Sequence, residues 1–534
     1  MAIFAPSESP AVIVKEVDLT GGVPNVQSTT GALMGDFRWG PVDKATLISN
    51  EAGLASTFAA PGATTNLDFL SAANFLRYAN SLQVTRSVGA GARNSVNSGG
   101  TVKLLKNNEQ WENDLSYTMD SDNRIYGKYP GTVGNSLRVV ATSSTGWTNW
   151  PWKANFDAAP TGTERHVLVL DEDGVISGKA GTVLERFAFV NDSSSATNTD
   201  GSSNYVKDVI NRGSNWVRVG GGLDSGDWSL LSGVDSSPEA SDLVSSASVF
   251  EDKDTITVDF LIAPGSGTTV ANAAITDELV RIAELRKDCV VVASPASENV
   301  INNADPVSAT TTETNAMDWS SYLFVDNNWL KVYDKYNDTY AYIPAAPSTA
   351  GIMAASDNEN APWFSPAGVR RGQYFGVTNL AYTPTKAQRD TLYKAGVNPI
   401  ANLPGQGILL YGDKTHMNRP SAFDRINVRR LFVVVERAIS LAARSTLFEL
   451  NDEFTRAEFV NIVEPFLREV KGRRGITDFR VVCDETNNTP NVIDRNEFIA
   501  NIFIKPARSI NYITLNFVAV RTGVDFEEVA GLSV

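Results

Sequence analysis

The stretch RINVRRLFVVVERAISLAARSTLFE (residues 425–449) places Val428, Leu431, Val435, Ala438, Ile439 and Ala442 at helical spacing, with Arg and Glu between them. This predicts an amphipathic helix. A second helix is expected from Thr455, where Thr455-Arg-Ala-Glu458 has the form of a capping box, with Phe459, Ile462, Val463, Phe466, Leu467 and Val470 on its apolar face and Gly472 and Gly475 at its end. Pro465 lies inside that pattern, where it deletes a backbone hydrogen bond, so a kink or break is expected there. Strand-like runs follow at 479–483, 498–504 and 512–520; in the last two, Ala500, Ile502 and Ile504 alternate with Asn501 and Phe503, and Ile513, Leu515 and Phe517 with Thr514 and Asn516. The unit reads as two helices on one face of a small sheet. Such a sheet has edges that need partners, and the closing RTGVDFEEVAGLSV (521–534) is too poor in apolar residues to pack a core of its own.

Working outward, 534 residues are too many for one ordinary core and imply several domains. A net charge of −15 argues against direct nucleic-acid binding or attraction to anionic membranes. No apolar run approaches the roughly 18 residues of a membrane span, and Met1 to Lys15 has no basic head followed by an apolar block. No membrane insertion and no secretory signal are expected. Cys289 and Cys483 both sit in apolar runs and read as buried thiols.

At the amino terminus, AVIVKEVD (11–18) alternates like a strand behind Pro6 and Pro10, with no local hairpin mate, so it must pair with a distant segment or another molecule. TTGALMGDFRWGP (29–41) carries a strand at Ala32–Met34, residues 66–80 read as a helix, and a strand follows at 82–88. From Arg93 to Val249 short strands separate loops dense in Gly, Ser, Thr, Asn and Asp, which predicts a β-rich insertion. HVLVLDEDGVISG (166–178) reads as a hairpin turning at Asp173-Gly174. The acidic residues Asp171, Glu172 and Asp173, and Asp120 with Asp122, lack the offsets of a calcium loop, and Gly220–Gly222 has no following Lys-Ser/Thr. No metal and no cofactor site is assigned. From 250 to 415 the pattern turns α/β: ITVDFLIAP (256–264), a helix over 275–287 and DCVVVASP (288–295) make a parallel crossover.

Several segments resemble the tail sheath proteins of contractile bacteriophages. In the C-terminal part these are VERAI (435–439), LFELND (447–452), FLREVKGRRGITDFRVVCDETNNTP (466–490), IDRN (493–496) and IFIKPARSINYITLNF (502–517). The amino-terminal SPAVIVKEVD and ALMGDFRWGPV are similar to the same family, as are KYPGTVGNSLRVVA (128–141), SYLFVDNNWLKVYD (321–334), YIPAAPSTAGIMAASD (342–357), APWFSPAG (361–368), LYKAGVNPI (392–400) and GQGILLYGDKT (405–415). The last has Lys414 where the family often has arginine.

The resemblance implies a multidomain α+β and α/β chain. Its parts would be an arm at 1–20, an inner α+β domain from 21–92 and 416–521, a β-rich outer insertion at 93–249, a subtilisin-like domain at 250–415, and a second arm at 522–534. It implies a structural subunit that polymerises with itself around a tail tube, meets baseplate and tail terminator proteins, and contracts to drive the tube through a host envelope. It places the protein in the virion tail, after synthesis in the host cytoplasm. The arms would add strands to neighbouring subunits through Val12, Ile13 and Val14 and through Val524, Phe526 and Val529.

A peptidase-derived hydrolase and a surface-layer or adhesin protein are the alternatives of other classes. A subtilisin-type site needs Asp, His and Ser in that order, yet His166 falls in the insertion and His416 follows the last α/β strand. Near Ser356-Asp357 and Ser365-Pro366 no histidine stands in order, so no catalytic residue is assigned. Residues 425–480 hold eleven basic and eight acidic side chains, about +3 in a chain that is about −18 elsewhere. Lys471, Arg473 and Arg474 are the densest part. They either complement the end of the second helix or face an acidic tube surface.

Overall fold

A computed structural model of the protein describes residues 29–97, 103–113 and 124–511. The predicted strands at 11–17 and 512–520, the tail, and with them Val12, Ile13, Val14, Val524, Phe526 and Val529, lie outside the described residues.

The centre is a seven-stranded sheet made of β1 (Gly31–Gly35), β2 (Thr46–Ile48), β3 (Leu82–Arg86), β4 (Phe260–Ile262), β5 (Val290–Ala293), β6 (Leu323–Asp326) and β7 (Val397–Asn398). The order is β7-β6-β5-β4-β1-β3-β2, parallel throughout except that β2 runs antiparallel to β3. Alternate residues feed two cores. Leu33, Phe260, Ile262, Val290, Val292 and Phe324 face one side, against α1 (Asn66–Phe75) and α3 (Ala346–Glu359). Met34, Leu261, Val291, Leu323 and Val325 face the other, against α2 (Thr269–Arg286). Two-sided burial is why these strands are short continuous apolar runs.

Residues 29–92 therefore correct the expected domain plan. Their strands β1 to β3 belong to the central sheet instead of an inner domain shared only with residues 416–521. The reason is visible in β1 itself. All five residues of GALMG are buried, and a strand apolar on both faces is stable only between two neighbours, here β4 and β3.

The insertion is β-rich as expected. Seven antiparallel-paired strands stand in the order Thr182–Asn191, Glu164–Asp171, Leu137–Thr142, Gly226–Leu231, Asn94–Asn97, Ile125–Pro130, Val217–Val219. The hairpin beginning at His166 differs from the sequence reading. Glu164–Asp171 pairs with Thr182–Asn191, not with VISG, and a ten-residue connection replaces the tight Asp-Gly turn. Asp171 organises that connection: its carboxylate accepts from Ser136 Oγ (2.6 Å), Gly174 N (3.1 Å), Ile176 N (3.0 Å) and Ser177 N (2.6 Å). The two sheets are joined by residues that follow β1. Trp39 enters the insertion's core and stacks on Trp216 at 5.6 Å, while buried Arg86 donates to the carbonyls of Phe37, Arg38 and Gly40.

Candidate assembly surfaces

The C-terminal unit comprises α4 (Ile426–Ala443), α5 (Glu453–Gly472) and a hairpin of β8 (Ile476–Val482) with β9 (Asn501–Pro506). Leu431, Val435 and Ile439 of α4 meet Phe459, Val463, Leu467 and Val470 of α5 in one core, closed by Ile476, Cys483 and Trp363. The helix cap lies earlier than predicted. Asp452 caps α5 by accepting from Thr455 N at 2.8 Å, so Thr455 is already inside the helix. Nor does Pro465 break it: α5 runs through. The carbonyl that loses its donor belongs to Asn461, and both residues are exposed, so water can replace the missing N–H. At the far end Arg474, at φ +67°, takes the left-handed conformation that the neighbouring glycines were expected to supply.

Arginines bolt α4 to the central sheet. Arg430 pairs with Asp357 of α3, both side chains less than 5% exposed, and lies over the Phe260 ring at 5.0 Å. Arg437 pairs with Asp259 and donates to the carbonyls of Val258 (2.8 Å) and Asp288 (3.0 Å). Arg429 covers the rings of Phe423 and Tyr322 at 3.9 and 4.3 Å. Sequence reasoning left these arginines on the polar face. Their spacing was the available signal, since Arg430 and Arg437, seven residues apart, share one stripe of the helix.

Three features of this unit stay unfinished. First, β8 and β9 pair only with each other, leaving the outer edge of each without a partner strand among the described residues. Phe479, Val481, Ile502 and Ile504 turn towards α5, whereas Phe503 points away and is 59% exposed. Second, the connection between α4 and α5 exposes Leu447, Phe448 and Leu450, and the first turn of α5 exposes Phe454. Third, the basic end of α5 is exposed but locally engaged. Lys471 pairs with Asp478 at 3.1 Å, and Arg473 reaches Glu469 at 3.7 Å, donates to Asn360 O at 3.3 Å and lies over Trp363 at 5.1 Å. These partners suit the local reading of the cluster.

The relatives of this chain give the unit its context. The family model described as phage tail sheath protein central domain matches residues 238–416, and that described as phage tail sheath C-terminal domain matches residues 418–519. The tail sheath protein of Enterobacteria phage T4 is 31% identical, the alignment covering 98% of this chain and 99% of that protein. This chain belongs to the phage tail sheath family. The tail sheath protein of Salmonella phage ViI is also 31% identical, over 99% of this chain and 98% of that protein. Among solved folds, the sheath tail protein Lin1278 of Listeria innocua is similar at TM-score 0.57 and 12% identity, covering 91% of this chain and 96% of its own. The contracted helical sheath of the anti-feeding prophage is similar at TM-score 0.55 and 13% identity, covering 96% and 99%.

Both histidines of this sheath-family chain are packed in place. His416 is buried, stacks on Trp319 at 4.2 Å and bonds Thr314 O at 2.9 Å through Nε2, and burial lowers its pKa to about 4. His166 stacks on Phe156 at 4.1 Å, with Nε2 against Ala158 O at 2.8 Å and Nδ1 accepting from Phe189 N at 3.1 Å. Ser365 Oγ donates to Asp413 at 3.0 Å, and Lys414 Nζ bonds Tyr393 O at 2.7 Å over that ring. Cys289 and Cys483 are free buried thiols.

Proposed function

We propose that this chain is the repeating subunit of a contractile tail sheath, made in the host cytoplasm and carried in the virion tail. Copies polymerise around a tail tube, end on baseplate and tail terminator proteins, and contract to push the tube through the host envelope. The observation that carries this is the end-to-end relation to phage tail sheath proteins, 31% identical over 98% of the chain. The β8–β9 hairpin, which has no third strand among the described residues, supports the mode of assembly: the N-terminal strand, through Val12, Ile13 and Val14, and the C-terminal tail, through Val524, Phe526 and Val529, add to this hairpin in neighbouring subunits. Backbone pairing of this kind gives strong linkage and persists while domains rotate. In the same reading the central sheet is subtilisin-like in descent, the insertion faces outward, and Lys471, Arg473 and Arg474 face the tube.

Electron microscopy of the purified chain tests the proposal. Sleeves or tubes are expected from the full chain, and soluble folded monomers from a chain lacking residues 1–18. Persistent monomers of the full chain under all conditions would overturn the sheath function. Normal sleeves from the truncation would overturn the strand exchange alone.

A further inference from the structure

Residues 447–454 run from the connection between α4 and α5 into the first turn of α5, and four of these eight side chains are large, apolar and in water: Leu447 is 62% exposed, Phe448 104%, Leu450 77% and Phe454 76%. Isolated surface hydrophobics are ordinary, but such a cluster marks an interaction surface. Phe448 has φ +71°, a left-handed conformation that is unfavourable for a residue with a side chain, and it holds the ring fully outside the fold. Glu449, Asp452 and Glu453 stand among these residues, so the knob is apolar and acidic.

A surface of complementary composition lies on the central part of the same chain. Val369 and Phe375 are 56% and 57% exposed. The Phe375 ring lies 5.8 Å from that of Tyr78, and Phe375 N donates to Tyr78 Oη at 2.6 Å, which fixes the loop against the turn after α1. Arg77, on that turn, donates to Gly376 O at 3.4 Å, and both Arg77 and Arg370 are exposed. This surface is apolar and basic.

We infer that the 447–454 knob of one subunit docks on the Arg77, Val369, Arg370 and Phe375 surface of a second copy of this chain. Opposite charge around matched apolar centres selects this occupant and its register. The contact joins two different patches head to tail, the kind of interface that propagates into a helix instead of closing a dimer. The inference rests on the sheath reading and adds to it a side-chain contact separate from strand exchange.

The full chain carrying Phe448→Cys with Val369→Cys is assembled into sleeves and mildly oxidised. The native thiols are buried, so a ladder of disulfide-linked subunits on a non-reducing gel is expected, with either single variant giving none. In parallel, Glu449→Lys with Glu453→Lys should raise the concentration needed for assembly about tenfold, and adding Arg77→Glu with Arg370→Glu should restore it. Sleeves that oxidise without a ladder overturn the contact while leaving the sheath function standing. So does a charge reversal without effect, or one that the second pair does not restore although circular dichroism shows both variants folded. A wild-type chain that never assembles overturns the sheath reading and this contact with it.

Discussion

The central sheet and the β8–β9 hairpin are both made of apolar strands, but the first is buried on both faces with neighbours on both sides, whereas among the described residues the second has no third strand. In the central sheet β1, β4, β5 and β6 bury side chains on both faces, and each has a strand on either side. In the hairpin one face meets α5, the other carries exposed Phe503, and no third strand is paired among the described residues. Under the proposed strand exchange, the difference gives two tasks to one kind of secondary structure. Damage to the first should appear as lost stability of the isolated subunit, and damage to the second as lost assembly by a subunit that still folds.

The sharpest test pairs two phenylalanines. Phe260→Ala removes a 1%-exposed ring from the central core and should cost about 3–5 kcal/mol in denaturant unfolding of the monomer. Phe503→Ala should stay within about 0.5 kcal/mol of wild type while weakening sleeve formation. Equal losses of stability from both would erase the distinction. Next in size is the bolt between the two regions. Asp357→Ala strands the Arg430 guanidinium in the interior and should cost roughly 3–5 kcal/mol, whereas Asp357→Leu with Arg430→Met should recover much of it. If the double variant is as unstable as the single, the loss lies in packing, not in the orphaned charge.

These two regions were also unequally legible in the sequence. Helices α4 and α5 and both hairpin strands were readable because each presents one apolar face, and a single face has a period. The cap of α5 was misplaced because Asp452 and Thr455 both offer an oxygen at a helix start, and only backbone geometry chooses between them. Long-range matters were not readable. Nothing in GALMG says that β1 stands between β4, more than two hundred residues away, and β3; a doubly buried strand has no period to betray its neighbours. The Arg430–Asp357 bolt spans 73 positions and was invisible for the same reason. Of the candidate site residues, the basic end of α5 was found from composition, but the apolar knob at 447–454 was read only as a family motif. Exposure, which makes it notable, is not written in residue type.

A smaller effect distinguishes the central sheet by its response to pH. Asp326, at the end of β6, is fully buried and accepts from Ser294 Oγ (2.8 Å), Thr349 Oγ1 (3.1 Å) and Asn328 N (3.3 Å). Burial raises its pKa to about 7. A carboxyl with a raised pKa in the folded state contributes stability that is complete below its unfolded value near 4 and is lost as pH rises through about 7. Between pH 5 and 7 this loss is about 2 kcal/mol. Asp326→Asn should flatten that part of the stability profile, measured by urea unfolding across the range. An unchanged slope would mean that Asp326 is ionised in the folded protein throughout. Asp68, half-buried in α1 with its pKa also raised to about 7 by desolvation, contributes a loss of the same sign, so some slope should survive in the variant.

The smallest effect on stability is expected where the effect on assembly is the question. Lys471→Gln, Arg473→Gln and Arg474→Gln together remove two exposed ion pairs, Lys471–Asp478 and Arg473–Glu469, each worth about 1 kcal/mol or less in water. The Trp363 indole keeps its hydrogen bond to the Arg473 carbonyl, a backbone group, at 3.0 Å, so the link from α5 to residues 360–364 should survive the change. Monomer stability should therefore fall by under about 1 kcal/mol. If the cluster only finishes α5, sleeves should form on tubes as before. If it faces the tube, many weak contacts repeated around a ring should add up, and the triple variant should lose tube-templated assembly while wild-type assembly becomes sensitive to salt. Cosedimentation with tubes at rising ionic strength separates the two. Identical binding by variant and wild type at every salt concentration would leave Lys471, Arg473 and Arg474 as local partners of Asp478, Glu469 and Trp363.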